Sequence, residues 1–209
     1  MDYFTARQHM VESQVRVNDV TDPALQKAMR HIERERLVAP SQAFAAYAEV
    51  EAQIAPGRAL MRPRDIAKLL HALKPEAGQK VLAIAAPYAA AVLAHAGLKV
   101  TAQEGDARVL SVIEPYLTEL GVETVTQDLK TAAEGAYDLI ISEGAVSEVP
   151  AGWTDALAMG GRLAVVVRTS AIGKAKLFSR IASGVSETDV FDSSPSILPG
   201  FEAKPAFVF

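Results

Sequence analysis

Apolar positions recur at helical spacing in the first third of the chain and in short unbroken runs after it. Asp22-Pro23 has the residues of a helix start, an aspartate to accept from free N–H groups and a proline in the first turn. Leu25, Ala28, Met29 and Ile32 then follow on one face. Ser41 is a second candidate cap, ahead of Phe44, Ala45, Tyr47 and Ala48. Pro56-Gly57 predicts a turn. A helix starting near Pro63 carries Ile66, Leu69, Leu70 and Leu73 together. Up to about Leu73 the pattern therefore predicts helices.

After Pro75 the rhythm becomes strand and helix in alternation. Val81–Ile84, Leu98–Thr101, Val122–Val125, Leu139–Ile141 and Leu163–Val167 have the composition of strands buried on both faces. Helical segments run from Ala89 to Ala96 and from Val109 to Leu120, the second closed by Gly121. A further helix is predicted near Leu177 and Ile181, and a last strand at Pro205–Phe209. The alternation predicts an α/β fold: a doubly wound, mostly parallel, Rossmann-like sheet in residues 75–209, with an N-terminal helical extension in residues 1–74 packing on it.

Composition narrows the function classes. Half of the 209 residues are hydrophobic, 22% are charged, and the formal net charge is −4. No run is dense in Lys and Arg, so a nucleic-acid partner is not expected. No apolar run reaches the roughly 18 residues that a membrane span needs, and Met1-Asp2-Tyr3-Phe4 lacks the basic and apolar blocks of a signal peptide. The expected compartment is the cytoplasm. There are no cysteines, which excludes disulfides, thiolate metal ligands and a cysteine nucleophile. His9, His31, His71 and His95 show no metal-ligand spacing, so no metal is expected. Ser142, Ser193 and Ser194 lack a Gly-x-Ser-x-Gly elbow, and no catalytic residue can be assigned. Arg58, Arg62, Arg64 and Lys68 form a local basic cluster, either an anion grip or a solvated helix face.

Ligands of a doubly wound sheet bind beyond the carboxyl ends of its strands, so the residues there are the candidates. The first strand is followed by Ala85-Ala86-Pro87-Tyr88, where a nucleotide cradle would need glycine; a plain strand-to-helix connection is the competing interpretation. Glu104, after the second strand, is placed to accept from ribose hydroxyls, and Asp128, after the third, could face an adenine amino group. Glu143 follows the fourth strand and points to the same crevice, or is a solvated loop carboxylate.

Met10–Arg16, Val20-Thr21-Asp22, Ala28-Met29, Arg34–Val38, Val81-Leu82, Ala91–Ala94, Tyr137–Ile140, Gly160–Leu163, Leu198–Phe201 and Phe207–Phe209 follow one another over nearly the whole chain. In their order and spacing the chain bears a resemblance to the protein-L-isoaspartate O-methyltransferase family, in particular its bacterial branch. It implies a class I methyltransferase fold and S-adenosylmethionine as cofactor. The implied partner is a protein or peptide bearing L-isoaspartyl residues, whose methyl ester cyclises to a succinimide that can reopen to aspartate. Carried over position by position, it implies a cofactor site at Ala85, Ala86, Glu104 and Asp128, to which Glu143 is added by its place after the fourth strand, and a substrate site at Leu60, Met61 and Arg62.

The chain departs from the family pattern at two loops. Ala83 stands at the acidic position of the cofactor motif, and alanine or proline replaces its glycines in a loop about two residues shorter. Met61 stands where the substrate loop has a hydroxyl, and a thioether has no proton to donate. Three possibilities follow: an active methyltransferase with an unusual loop, a pseudo-enzyme that binds a partner or other ligand, and a methyltransferase for another carboxylate held by Arg58, Arg62 and Arg64.

Overall fold

The computed structural model describes residues 2–203; the strand expected at Pro205–Phe209 lies outside them. Asp2 caps α1 (Tyr3–Met10) by accepting from the Thr5 N–H, and the chain winds on through looser and tighter turns to Asn18. Asp22 caps α2 (Pro23–His31), accepting from the Ala24 and Leu25 N–H groups, as its sequence predicts. Short 3-10 turns at Arg34–Leu37 and Pro40–Ala45 replace the helix expected after Ser41.

Residues 52–60 correct the all-helical expectation for this region. They form a hairpin of β1 (Ala52–Ala55) and β2 (Arg58–Leu60), turning at Pro56-Gly57. Proline presets the first turn position and Gly57, at φ +79°, takes the left-handed one. α3 (Pro63–Leu73) then buries Ile66, Leu69, Leu70 and Leu73 completely, each contributing roughly 1.5–3 kcal/mol over its exposed state.

β3 (Lys80–Ile84), α4 (Pro87–His95), β4 (Lys99–Glu104), α5 (Ala107–Glu119) and β5 (Glu123–Thr126) alternate as expected. β6 (Tyr137–Val146), the short α6 (Ala151–Asp155) and β7 (Leu157–Val167) follow. The helix expected near Leu177 is instead β8 (Lys174–Ile181), which turns directly into β9 (Gly184–Asp192). Antiparallel pairing of β8 with both β7 and β9 outweighs the helical spacing of Leu177 and Ile181.

The seven strands lie in the order β5-β4-β3-β6-β7-β8-β9. The pairs from β5 to β7 are parallel and the last two antiparallel. From β3 the chain winds outward to β4 and β5, then returns to β6 on the other side. The topological switch point therefore lies between β3 and β6. One hydrophobic core runs from Met10 to Ala175 and joins the N-terminal elements to the sheet.

Candidate functional site

The carboxyl ends of β4 and β5 open into a cavity of about 310 Å³, walled by Glu104, Gly105, Asp106, Asp128, Leu129, Lys130, Arg58 and Phe201. Glu104 and Asp128 both border it. Its floor depends on Gln103, which is buried and bridges to the following loop. The Gln103 amide donates to the carbonyls of Asp128 and Thr131 and accepts from the Ala133 N–H. The Trp153 indole N–H holds the same loop through the Leu129 carbonyl at 2.8 Å. Gly105 lets this loop approach, since a Cβ there would lie 3.0 Å from the Gln127 carbonyl oxygen.

Asp106 lies on the rim and caps α5 through the Arg108 N–H. The Arg108 guanidinium beside it holds its carboxyl down at about 2. Neither Asp106 nor Gln103 shows as a site residue in the sequence: the one has the pattern of a helix cap, and the other's role depends on a loop 25 to 30 residues away.

Glu104 is buried and already partnered. One carboxylate oxygen accepts from the Gly105 and Asp106 N–H groups. The other accepts from Arg58 at 2.7 Å, and both side chains are 2% exposed. Arg58 also donates to the Ala85 carbonyl at 3.1 Å, so one guanidinium ties the β4 end to the loop after β3. That loop is only Ala85 and Ala86, both buried. Ala85 adopts φ +52°, the left-handed conformation that glycine takes freely and that costs other residues roughly 1–2 kcal/mol.

Glu143 is not in a solvated loop. β6 extends past the expected Ile141 to Val146, with Glu143 completely buried at the switch point. Its carboxylate accepts from the Tyr88 N–H at 3.1 Å, and the Ala89 N–H also favours its charged form, so Glu143 caps α4 in place of a side chain of the helix's own. Burial pushes its carboxyl up to about 7, against the opposing pull of Arg34, Arg58 and the two amides. Arg34 is also buried; it donates to the carbonyls of Ala46 and Met61 and lies 4.2 Å over the Tyr88 ring. Among the described residues, Arg58 Nε, Arg34 Nη1, Tyr88 Oη and Glu143 Oε1 are buried without a hydrogen-bond partner.

The basic cluster divides. Arg62 and Arg64 both bind the buried carboxylate of Asp65, which also accepts from Ser193, and Lys68 lies over Phe191. Only Arg58 reaches the cavity. Leu60 and Met61 are completely buried, and Arg62 is partly exposed beside Asp65. His31 and His95, distant in sequence, stack at 4.8 Å. Among the described residues no group of three or more metal-ligating side chains occurs, and no helix is long and apolar enough to cross a membrane.

The profile of the family "Protein-L-isoaspartate(D-aspartate) O-methyltransferase (PCMT)" matches residues 5–193. The chain is 34% identical over 168 residues to the protein-L-isoaspartate O-methyltransferase of Methylorubrum populi, covering 78% of this chain and 79% of that protein. It is 27% identical to that of Desulfosudis oleivorans, covering 90% and 88%. Among solved structures, a protein-L-isoaspartate O-methyltransferase superposes with a TM-score of 0.77 at 19% identity, over 94% of this chain and 67% of that one. A Plasmodium falciparum protein described by the same activity, in complex with S-adenosyl-L-homocysteine, superposes at 0.76 with 15% identity, over 92% and 97%. These two likenesses establish the class I methyltransferase fold. With the profile covering nearly the whole chain, the protein belongs to the protein-L-isoaspartate O-methyltransferase family, whose members are S-adenosylmethionine-dependent methyltransferases acting on L-isoaspartyl residues of damaged proteins.

Proposed function

We propose that the cavity at the ends of β4 and β5 is a nucleoside site, and that the family's reaction is the primary reading of what it serves. That reaction is methyl transfer from S-adenosylmethionine to L-isoaspartyl carboxylates of damaged proteins, in the cytoplasm. The observation that carries the nucleoside site is the cavity itself, bordered by Glu104 and Asp128. The Glu104 oxygen that binds Arg58 has a second lone pair for a ribose hydroxyl. Asp128 offers acceptors towards an adenine amino group, and Leu129 and Phe201 supply apolar walls. The match over residues 5–193 supports the reaction.

The adenosine half of the cofactor fits these residues; the methionine half does not. Its carboxylate would seek the free amides at the start of α4, the ready anion site of a doubly wound sheet. Glu143 already takes the Tyr88 N–H there. Its ammonium and sulfonium would lie beside the buried Arg58 guanidinium, a like charge in a poorly screened site. The loop that would wrap it carries methyl groups at Ala85 and Ala86, and Pro87 lacks an N–H.

A second reading follows from the Arg58–Glu104 pair: a family member that binds a nucleoside and transfers no methyl group. The experiment that separates the two is methyl incorporation from labelled S-adenosylmethionine into an isoaspartyl peptide. Incorporation above a protein-free control supports the family's reaction. No incorporation by a protein that still binds adenosine supports the second reading.

A further inference from the structure

We propose that the cavity selects adenine nucleosides whose 5′ substituent carries no charged amino-acid arm, such as adenosine and methylthioadenosine, over S-adenosylmethionine and S-adenosylhomocysteine. The inference deepens the second reading of the site and rests on the nucleoside assignment.

Two charged side chains of the chain itself occupy the polar positions that such an arm needs. Glu143 puts a carboxylate on the Tyr88 amide at the start of α4, at the switch point between β3 and β6. Arg58 puts a cation on the Glu104 carboxylate and the Ala85 carbonyl. The arm is a zwitterion, an ammonium and a carboxylate a few bonds apart. Arg58 and the deprotonated Glu143 supply the same two charges from within the protein, one at each side of the loop after β3. An arm entering the site would have to displace both. Returning Arg58 or Glu143 to water is not open to a closed core: Arg58 comes from a hairpin locked into the core by Ile54 and Leu60, and Glu143 is in a central strand. A displaced Arg58 would also leave Glu104 buried and unpaired, a heavily disfavoured state.

The cavity beyond Arg58 meets no such obstacle. Its open wall is formed by Asp106, Asp128, Leu129, Lys130 and Phe201. A ribose and a base can enter there with the Arg58–Glu104 pair intact. The chain thus separates two halves of one ligand: the nucleoside half keeps its site, and the amino-acid half finds its site taken.

The test is calorimetric titration of the intact protein with four probes in turn: adenosine, methylthioadenosine, S-adenosylhomocysteine and S-adenosylmethionine. The proposal expects adenosine and methylthioadenosine to bind at least tenfold more tightly than the two ligands that carry the arm. Equal or tighter binding of S-adenosylhomocysteine would overturn it, because the arm would then be using Arg58 Nε and Glu143 Oε1. Absence of binding by all four at millimolar concentration would overturn it as well. The methyl-incorporation assay reports separately on the second reading, whatever the order of affinities. In Arg58→Gln, which removes the charge and keeps a donor, the tenfold preference should narrow at least threefold. An unchanged preference in a folded variant would remove Arg58 as its cause.

Discussion

Ala85 holds a methyl group where the backbone is left-handed, at φ +52°. The turn that a glycine would make freely is thus still made, with the strain retained. Ala85→Gly relieves that strain, offset by the loss of a small buried side chain and by the entropy of glycine in the unfolded chain. The expected result in urea denaturation is a change within about 1 kcal/mol of zero. The same substitution at Ala91, inside α4, should cost about 1 kcal/mol. A larger loss at Ala85 than at Ala91 would contradict the strained-turn account. Arg58 makes a sharper prediction. Arg58→Ala leaves the Glu104 charge buried and unpaired, a loss of about 3–5 kcal/mol. Adding Glu104→Gln should recover most of it, and additive losses in the double variant would show that the pair is not coupled. Arg58 is also where sequence alone stops. Glu104 and Asp128 could be set at strand ends because the apolar runs before them are plain. The partner of Glu104 lies 46 residues earlier in the chain, and no local pattern joins the two.

At the scale of the element, α4 starts without a capping side chain of its own, and β6 supplies one through Glu143. The groups facing that carboxylate are Arg34 from the turn before β1, Arg58 from β2, and Tyr88 with the Ala89 amide from α4. Burial outweighs them and raises the carboxyl to about 7. The folded protein therefore holds a proton that the unfolded chain releases near the ordinary glutamate value of 4.5. Through this group, stability is fullest below about pH 4.5 and falls as pH rises to about 7. Glu143→Gln, neutral at every pH, should flatten that part of the stability curve and unfold at a higher temperature than the parent at pH 8. A parallel fall in both proteins would assign the dependence to other groups. The helices α2, α3 and α5 were legible because their end signals, Asp22-Pro23, Pro63 and Gly121, coincide with apolar faces. The β1–β2 hairpin was half legible: Pro56-Gly57 gave the turn, but strands this short carry too few residues to show a period of two. β8 was missed because Leu177 and Ile181, four apart, fit a helix as well as a strand paired on both sides. Glu143 looked like a loop residue because the apolar run breaks at Ser142, while the strand continues to Val146.

Over the whole molecule, the switch point is set by strand order, and the order follows from a chain that winds outward from β3 and then returns to β6. The fold class was legible because that winding needs only alternating strands and helices. What the winding leaves open is whether the crevice receives a ligand or is filled from within. In this protein the division runs across the crevice itself. Towards β5 it is a cavity with carboxylates on its rim; towards β6 it is closed by Glu143, Tyr88 and Arg34. Family membership describes the scaffold, and fold alone does not fix the chemistry of either half. The most direct measurement is the affinity of methylthioadenosine against that of S-adenosylhomocysteine, titrated into the same preparation at pH 8, above the raised value of the Glu143 carboxyl. The two share a nucleoside and differ in the amino-acid arm. Tighter binding of methylthioadenosine, by tenfold or more, is the result expected of a crevice whose arm site is filled by the protein's own charges. Tighter binding of S-adenosylhomocysteine would contradict that account and return the crevice to the family's cofactor.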